Sequence, residues 1–219
     1  MTGPIRQPGY DPNCRDCPRL AEFLDGVGKK HAGYHARPVA PFGARNAKLL
    51  IVGLAPGMHG ANRTGRPFTG DYAGILLYRT LHKFGFANQA GSDRTDDGLK
   101  LIDCRVTNAV KCLPPQNRPL PEEVRRCNHY LAEEIALVRP RAILALGAVA
   151  HGAVLRALGL APARHRFAHR AVHDLAWPLG ARLFDSYHCS RYNTQTKRLS
   201  AAGFEAVVRD IAKFLRGSR

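Results

Sequence analysis

Four of the six cysteines form two pairs with spacings that are typical of metal binding. Two residues separate Cys14 from Cys17, and fourteen separate Cys112 from Cys127. Four thiolates suit either a tetrahedral zinc ion or a [4Fe-4S] cluster. The other two cysteines fall in or beside an apolar segment, where a small buried side chain is the simpler interpretation for Cys104. The spacing therefore predicts a metal site and leaves zinc and iron–sulfur both open.

A second group of candidate residues follows the ends of apolar segments. Residues 53–74 form a long loop rich in glycine and proline, and a loop of this length in a compact domain is usually functional or disordered. Phe68 in this loop offers a flat ring for stacking on a base or sugar, although a core side chain under the loop is an equal alternative. The loop has neither GK[ST] nor GxGxxG, so a nucleotide-phosphate site is not expected.

Two polar segments, TNAVKC around Asn108 and HCSRYNTQT from His188, also follow predicted strands. Ser190 and Asn193 can fix the tautomer of the His188 ring. Another set, His165, His169 and His173, recurs every four residues but is interleaved with three arginines. We interpret that set as a surface facing nucleic acid rather than as a metal ladder.

The elements that must position these residues alternate along the chain. Apolar runs predict strands at 49–53, 101–109, 142–146 and 182–187. Helical patterns and end signals predict helices at 19–26, 75–84, 121–138, 148–158 and 200–215, the second of them capped by Asp71 or Thr69. Residues 163–181 fit either a hairpin or an irregular excursion. This alternation predicts an α/β fold whose parallel sheet is covered by helices.

In such sheets ligands bind at the carboxyl ends of the strands. That rule gathers the loop 53–74, Asn108, the turn at Gly147 and residues 188–196 at one edge, and so predicts a ligand site there. The length of 219 residues suits one domain, residues 1–219, in which 1–47 form an extension that carries Cys14 and Cys17.

The charge of the chain narrows the class of partner. Lysine and arginine number 33 against 17 acidic residues, a net charge of +16, which favours an anionic partner. Nucleic acid is preferred over a membrane, because no stretch has the length or apolarity of a membrane span. The segment MTGPIRQPGYDPNC has no apolar core of a secretory signal, so we expect a cytoplasmic protein.

Taken together, GLAPGMHGANRTGRPFTGDYAG, TNAVKC, the four cysteines and HCSRYNTQT resemble the iron–sulfur uracil-DNA glycosylases, most closely the family 5, or B-type, branch. The resemblance runs from Cys14 to about Thr196. It implies a three-layer α/β/α sandwich with a four-stranded parallel central sheet. It also implies that Cys14, Cys17, Cys112 and Cys127 hold a structural [4Fe-4S] cluster.

The resemblance assigns roles residue by residue. Phe68 matches the aromatic residue on which the flipped base stacks, and Asn108 matches the amide that reads the pyrimidine edge. His188 matches the histidine that contacts the base oxygen as the base departs. Arg191 and Tyr192 match the loop that wedges into the duplex. Gly53 and Ser190 are expected to contribute to substrate binding beside these residues.

Three positions depart from the wider superfamily. Leu54 and Ala55 stand where other branches carry the residue that activates water, and family 5 shares this absence, which makes Asp71 the matching candidate. Gly57 stands where a bulky aromatic residue elsewhere rejects thymine, so a roomier pocket is expected. Cys189 replaces a common proline, and no role follows for it.

The function implied is a monofunctional DNA glycosylase that removes uracil, and other deaminated or damaged bases, to begin base excision repair. The expected substrate is double-stranded DNA, and also single-stranded DNA, that contains such a base, and the expected state is a monomer without membrane association. The alternative is a non-enzymatic, zinc-containing module that binds nucleic acid. An iron–sulfur electron carrier would need a second cofactor site, which the sequence does not suggest.

Overall fold

The computed structural model describes residues 8–175 and 180–217. Its helices are α1 (Pro18–Lys30), α2 (Ala61–Thr64), α3 (Tyr72–Lys83), α4 (Pro121–Val138), α5 (Ala148–Ala157), α6 (Arg191–Gln195) and α7 (Ala201–Gly217). Its strands are β1 (Phe42–Gly43), β2 (Leu49–Gly53), β3 (Cys104–Asn108), β4 (Ala142–Leu146), β5 (Val172–Asp174) and β6 (Arg182–Ser186). Within these described ranges, no helix combines the length and apolarity that a bilayer crossing requires.

The strands form one six-stranded mixed sheet in the order β1-β3-β2-β4-β6-β5. The inner strands β3, β2, β4 and β6 run parallel to one another. β1 and β5 pair antiparallel at the two edges. The expectation of a four-stranded parallel sheet was therefore wrong, because it missed both edge strands. These strands have two and three residues, too few to show an alternating pattern in the sequence.

Side chains of β2 alternate between two hydrophobic clusters. Leu49 and Ile51 pack in a cluster with residues of α3 and α7. Leu50 and Val52 pack in a second cluster with residues of α4 and α5. Successive strand residues point to opposite faces, so a strand covered by helices on both sides must be apolar throughout. This is why the sequence LLIVG is continuously hydrophobic and fully buried.

Most predicted boundaries lie close to the observed ones. α4 begins with Pro121 and has the predicted bounds, and the Glu123 carboxylate accepts a hydrogen bond from the Leu120 N–H (2.7 Å), which closes its first turn. The second strand is shorter than predicted because Leu101 forms an isolated bridge with Ala87 before β3 begins. The segment 163–181 contains β5, paired with β6, while residues 176–179 lie outside the described part.

The N-terminal region packs on the sheet domain through α1, which is longer than the predicted helix 19–26. Leu20, Leu24 and Val27 join a third hydrophobic cluster, together with Val110 and Tyr130. Two hydrogen bonds of 2.7 Å join the Arg19 guanidinium to the carboxylate of Glu123 at the start of α4. Residues 1–7 of the predicted extension lie outside the described part, and the assignment of residues 1–219 to one domain stays a prediction.

Candidate active site

A cavity of about 610 Å³ opens where the parallel strands end. Leu54 follows β2, Asn108 ends β3 and His188 follows β6, and all three line it. Other predicted site residues that line it are Gly57, Phe68, Asp71, Ser190 and Tyr192. The structure therefore brings most of the predicted site together, whereas Gly53 and Arg191 do not reach the cavity wall.

Gly53 lies behind the cavity, at the end of β2, where it pairs with Asn108 of β3. A Cβ atom at this position would overlap the Asn108 Oδ1 atom and would lie 2.6 Å from the Phe68 Cζ atom. Glycine is needed here because two side chains of the site occupy the space of its missing side chain. Its contribution is to packing and not to direct contact with a ligand.

Phe68 is held in an unusual backbone conformation with φ of +55°. A non-glycine residue in this region costs about 1–3 kcal/mol and persists only where the surroundings fix it. The Tyr78 hydroxyl donates a hydrogen bond to the Pro67 carbonyl (2.6 Å) and so fixes the loop. The Phe68 and His188 rings are stacked, with centroids 5.8 Å apart and planes at 27°. Since stacked rings need about 3.5 Å per contact, a base cannot lie between these two rings.

The side chain of Asn108 is buried, and its Oδ1 atom has no hydrogen-bond partner among the described residues. A buried polar atom without a partner costs about 1–3 kcal/mol. A ligand that carries an N–H group into the cavity would satisfy this oxygen. Asn108 Oδ1 is thus an acceptor left open beside the cavity, and its role in reading a ligand stays a prediction.

Asp71 both caps a helix and faces the cavity. Its Oδ1 atom accepts a hydrogen bond from the Gly74 N–H (2.8 Å) at the start of α3, as the sequence predicted for an N-cap. Its Oδ2 atom lies toward Gly57, 3.8 Å from where a Cβ atom would be. Burial raises the pKa of the Asp71 carboxyl, although hydrogen bonds from the Gly74 and Ala73 N–H groups act in the opposite direction. One oxygen is thus structural, and the other remains near the cavity.

Burial also determines the protonation of His188. Loss of water around the ring lowers its pKa to about 4, so the imidazole is neutral near pH 7. Asn193 Nδ2 donates to the His188 carbonyl oxygen (2.8 Å), and Ser190 Oγ caps α6 by accepting from the Asn193 N–H (3.4 Å). Ser190 therefore orders the turn after β6, and the expectation that it fixes the ring tautomer stays a prediction.

Comparison with known proteins identifies the family to which this chain belongs. The chain matches the uracil DNA glycosylase superfamily over residues 40–212, more than half of its length. The chain belongs to this superfamily. It is 46% identical over 210 residues to the Type-5 uracil-DNA glycosylase of Thermus thermophilus, which covers 93% of this chain and 94% of that protein. It is 43% identical over 204 residues to that of Pyrobaculum aerophilum, covering 91% and 88%. The resemblance drawn from the motifs is confirmed.

A Type-4 uracil-DNA glycosylase from Thermotoga maritima is 38% identical over 109 residues, which is 49% of each chain. The alignments with the two Type-5 relatives are thus nearly twice as long as the alignment with this Type-4 protein. The names of these relatives agree with the family 5 branch that the combined motifs indicated.

The two residues predicted to wedge into the duplex, Arg191 and Tyr192, begin helix α6. Of these two, Tyr192 lines the cavity. The Tyr192 side chain is 70% exposed, which suits a group that enters a partner. The Arg191 guanidinium instead lies over the Tyr72 ring, 5.1 Å from its centroid. Tyr192 is thus the better placed of the two, and the wedge role itself stays a prediction.

Sequence reasoning missed part of the cavity wall. Gln116, Asn117 and Arg118 line the cavity from the proline-rich loop after β3, and Arg198 lines it from the turn before α7. Gln116 and Asn117 both have φ of +55°, a tight turn that the flanking prolines hold. The prolines and the asparagine of LPPQNRPLP do indicate a turn. They do not indicate that this turn packs beside the carboxyl ends of the strands and lines the cavity.

The four predicted metal ligands of this superfamily member line one small cavity, together with Leu20 and Tyr130. Burial raises the pKa of the Cys17 thiol to about 11, and the neighbouring Cys127 raises it further. Burial likewise raises the pKa of Cys112, to which the other three cysteines add. Four thiolates this close repel one another, so the donor set fits a cationic group between them. The identity of that group stays a prediction.

The two remaining cysteines belong to the hydrophobic cluster under α3 and α7. Cys104 is fully buried within β3, as expected for a small core side chain. Burial raises the pKa of Cys189 to about 12, and Asp71 raises it further. Cys189 is therefore a neutral thiol that packs behind the catalytic candidates.

Proposed function

We propose that this protein is a DNA glycosylase that hydrolyses the N-glycosidic bond of uracil flipped out of DNA, and so starts base excision repair. The observation that carries the proposal is the Asn108 Oδ1 atom, which has no hydrogen-bond partner among the described residues and lies at a cavity shared with Phe68 and Asp71. Relatives that align with more than nine-tenths of the chain bear the name Type-5 uracil-DNA glycosylase.

Recognition of the base would use stacking and one amide. A base within a duplex cannot present its glycosidic bond, so the nucleotide must be extruded at a cost of a few kcal/mol. The Phe68 ring stacks on the extruded base from the cavity side. Asn108 Oδ1 then accepts from uracil N3–H while Asn108 Nδ2 donates to O4. A site built for such hydrogen bonds can reject a mismatched pattern by about 10⁴ to 10⁵.

Cleavage breaks the C1′–N1 bond, and its electron pair stays on the base. His188 is neutral near pH 7 and donates an N–H hydrogen bond to the base oxygen on which negative charge develops. The Asp71 carboxylate stabilises the cationic sugar and takes a proton from the water that attacks C1′. The uracil anion takes up a proton from solvent and Asp71 releases its proton to solvent, so the products are neutral uracil and an abasic strand. Asp71 retains its cap to Gly74 throughout, since that bond uses Oδ1 alone.

Binding to the DNA backbone relies on the net charge of +16. Arg118 and Arg198 line the cavity and would hold phosphates beside the extruded nucleotide. Tyr192 would fill the gap that the base leaves in the stack. This arrangement suits double-stranded DNA and also accepts a single strand, and it needs only a monomer.

The reaction is proposed to stop at hydrolysis. A lyase step needs an amine that forms a Schiff base with the sugar. Among the described residues no lysine lines the cavity. The nearby Lys111 is buried, and its Nζ atom donates to the Glu134 carboxylate at 3.0 Å. This amine is used in the fold and is not available to the sugar.

We further propose that Cys14, Cys17, Cys112 and Cys127 hold a [4Fe-4S] cluster. The cluster would supply structure and not chemistry at the base, by joining the residues just before α1 to α4 and to the loop after β3. The four thiols in one cavity also suit zinc, so the two must be separated by measurement. Purified protein with a cluster should be coloured because the cluster absorbs visible light, whereas a colourless protein with bound zinc would overturn this assignment.

The role of Gly53 gives the first mutational prediction. The Gly53→Ala variant should release uracil about 10² times more slowly, because its Cβ atom displaces Phe68 and Asn108 by a substantial fraction of an ångström. Gly152→Ala is the matched control, since a Cβ atom there meets nothing within 4 Å. Single-turnover kinetics on both variants check the prediction, and equal rates would show that Gly53 has no part in ordering the site.

The space beside Gly57 predicts a broad substrate range. A Cβ atom on Gly57 would approach nothing closer than 3.8 Å, so the cavity is open where a larger base would extend. We expect measurable release of hypoxanthine, xanthine and 5-hydroxymethyluracil in addition to uracil. A Gly57→Phe variant should retain uracil while losing the larger bases. Activity confined to uracil in the wild type would contradict the prediction.

The function itself is tested by release of free base from a duplex with one uracil opposite guanine. The wild type should yield free uracil and a strand that alkali cleaves at the abasic site. A binding module would retain the DNA intact, and that outcome would overturn the proposal. Ile75→Ala, at an exposed position on the surface of α3, is the control for preparation effects.

A further inference from the structure

A fully buried carboxylate outside the cavity is held between two histidines. Asp185 of β6 is 0% exposed. Its Oδ1 atom lies 2.8 Å from Nδ1 of His151 in α5, and its Oδ2 atom lies 3.0 Å from Nε2 of His173 in β5. One ligand atom from each of the three residues lies within 4.8 Å of the others. The three side chains converge from three separate elements of the fold.

The negative charge of Asp185 has no fixed cation in the described structure. Its only ion-pair partners there are the two histidines, and neither lysine nor arginine reaches it. A buried carboxylate without a compensating positive charge is strongly disfavoured. A cation must therefore be shared between Asp185 and the imidazoles.

The tautomer of His151 sharpens this requirement. Its Nε2 atom lies 2.8 Å from the His165 carbonyl oxygen, which can only accept, so Nε2 carries a proton. A neutral His151 then directs a lone pair from Nδ1 at a lone pair of Asp185 Oδ1. Two lone pairs approach to 2.8 Å only if something positive lies between them, either a proton shared by the imidazole and the carboxyl group or a metal ion.

The donor set matches a metal site in two respects. Two imidazoles and one carboxylate are ligands for zinc and similar divalent ions, and a tetrahedral ion would need its ligand atoms about 3.3 Å apart. The two imidazole–carboxylate pairs, at 2.8 and 3.0 Å, would expand slightly, and one ligand atom from each residue already lies within 4.8 Å of the others. Ligating histidines usually donate their other N–H group to a backbone carbonyl, as His151 does to His165. The His173 side chain is 12% exposed, which leaves a path for a water as the fourth ligand.

We propose that His151, His173 and Asp185 bind one divalent transition-metal ion, zinc by preference, that fastens the edge strand β5 and helix α5 to β6. On binding, the proton shared at His151 Nδ1 is released to solvent and the metal takes its place. Of His165, His169 and His173, which recur every four residues, only His173 is a proposed ligand. The other two proposed ligands, His151 and Asp185, lie elsewhere in the chain.

A metal ion at this site would affect the segment that precedes the edge strand β5. The segment before β5 carries Arg164, Arg166 and Arg170, which face DNA in the sequence interpretation. From the same segment the His169 ring stacks on Tyr187 at 5.2 Å, and Tyr187 contacts the guanidinium of Arg198 at the cavity wall. A metal that fixes this segment would stabilise the fold and the DNA-binding face, and would leave the chemistry at the base unchanged.

The test compares zinc content and thermal stability in three proteins prepared identically with the cysteine site filled. After dialysis against micromolar zinc, the wild type should retain one zinc ion per chain more than His173→Ala. Zinc should raise the wild-type Tm by about 5 to 10 °C relative to chelator, with no shift in His173→Ala. His82→Ala, an exposed histidine at the end of α3, should behave like the wild type. Equal zinc content and equal Tm shifts in all three would overturn the site.

A second measurement uses the wild type alone and does not depend on the folding of a variant. X-ray absorption at the zinc edge should show a shell of nitrogen and oxygen with two imidazoles. A shell made only of sulfur, or the failure of zinc to bind, would mean that a proton and not a metal compensates Asp185.

Discussion

The Asp71→Asn variant should release uracil from a uracil:guanine duplex about 10² to 10⁴ times more slowly than the wild type under single-turnover conditions. The substitution removes the negative charge that we propose to face the sugar. It keeps the helix cap, because asparagine accepts from the Gly74 N–H as aspartate does. Thermal unfolding should therefore change little while the rate falls.

The matched control for Asp71→Asn is Asp96→Asn, which changes an acidic side chain that is 74% exposed and forms an ion pair with Arg94. Its rate should equal that of the wild type. If Asp71→Asn also excises uracil at the wild-type rate, Asp71 is a helix cap and nothing more.

The same carboxyl predicts a pH dependence. Burial raises the pKa of Asp71, and the reaction needs its ionised form, so the wild-type rate should increase with pH through this raised pKa. His188, with a pKa of about 4, is already neutral above pH 5 and adds no further change between pH 5 and 8. The Asp71→Asn variant should lack the acidic limb of the profile.

The His188→Ala variant should lower the excision rate by about 10² to 10³, the effect of removing a donor to a developing oxyanion. His188→Gln keeps a neutral N–H donor and should recover part of the loss. His82→Ala, an exposed histidine, is the control and should leave the rate unchanged. If both His188 variants excise uracil at the wild-type rate, the departing base is stabilised by another group.

Removal of His188 should act on the chemical step more than on binding. The ring contacts Phe68 but leaves Asn108 free to pair with the base edge. Affinity for a uracil duplex measured under non-cleaving conditions should therefore change much less than the rate. A proportionate loss of both would indicate that the Phe68 platform collapses without the histidine.

The inner strands and the long helices could be predicted from the sequence because each of them has a local pattern of residue types. β2 and β4 are continuous apolar runs bounded by glycine, and α4 begins at a proline with acidic residues in its first turn. The edge strands β1 and β5 have no such signal. They exist because longer neighbours offer free backbone groups to pair with, which is a tertiary effect.

The candidate site likewise contains residues that local patterns could place and residues that they could not. Asn108 and His188 could be placed together because the carboxyl ends of parallel strands meet at one edge. Asn117 and Arg198 reach the same cavity from a turn and a connection whose direction no local pattern states. The contact of Asp185 with His151 and His173 likewise joins positions that only the folded sheet brings together.

The most direct test of the account is a crystal structure of the wild type with a duplex that contains 2′-fluoro-2′-deoxyuridine opposite guanine. The fluorine disfavours positive charge on the sugar, so the base should remain attached. We predict that the uracil lies in the cavity against Phe68, with N3–H donated to Asn108 Oδ1, O2 near His188 and C1′ facing Asp71. A uracil that stays stacked in the duplex, or that is bound away from these residues, would contradict the account.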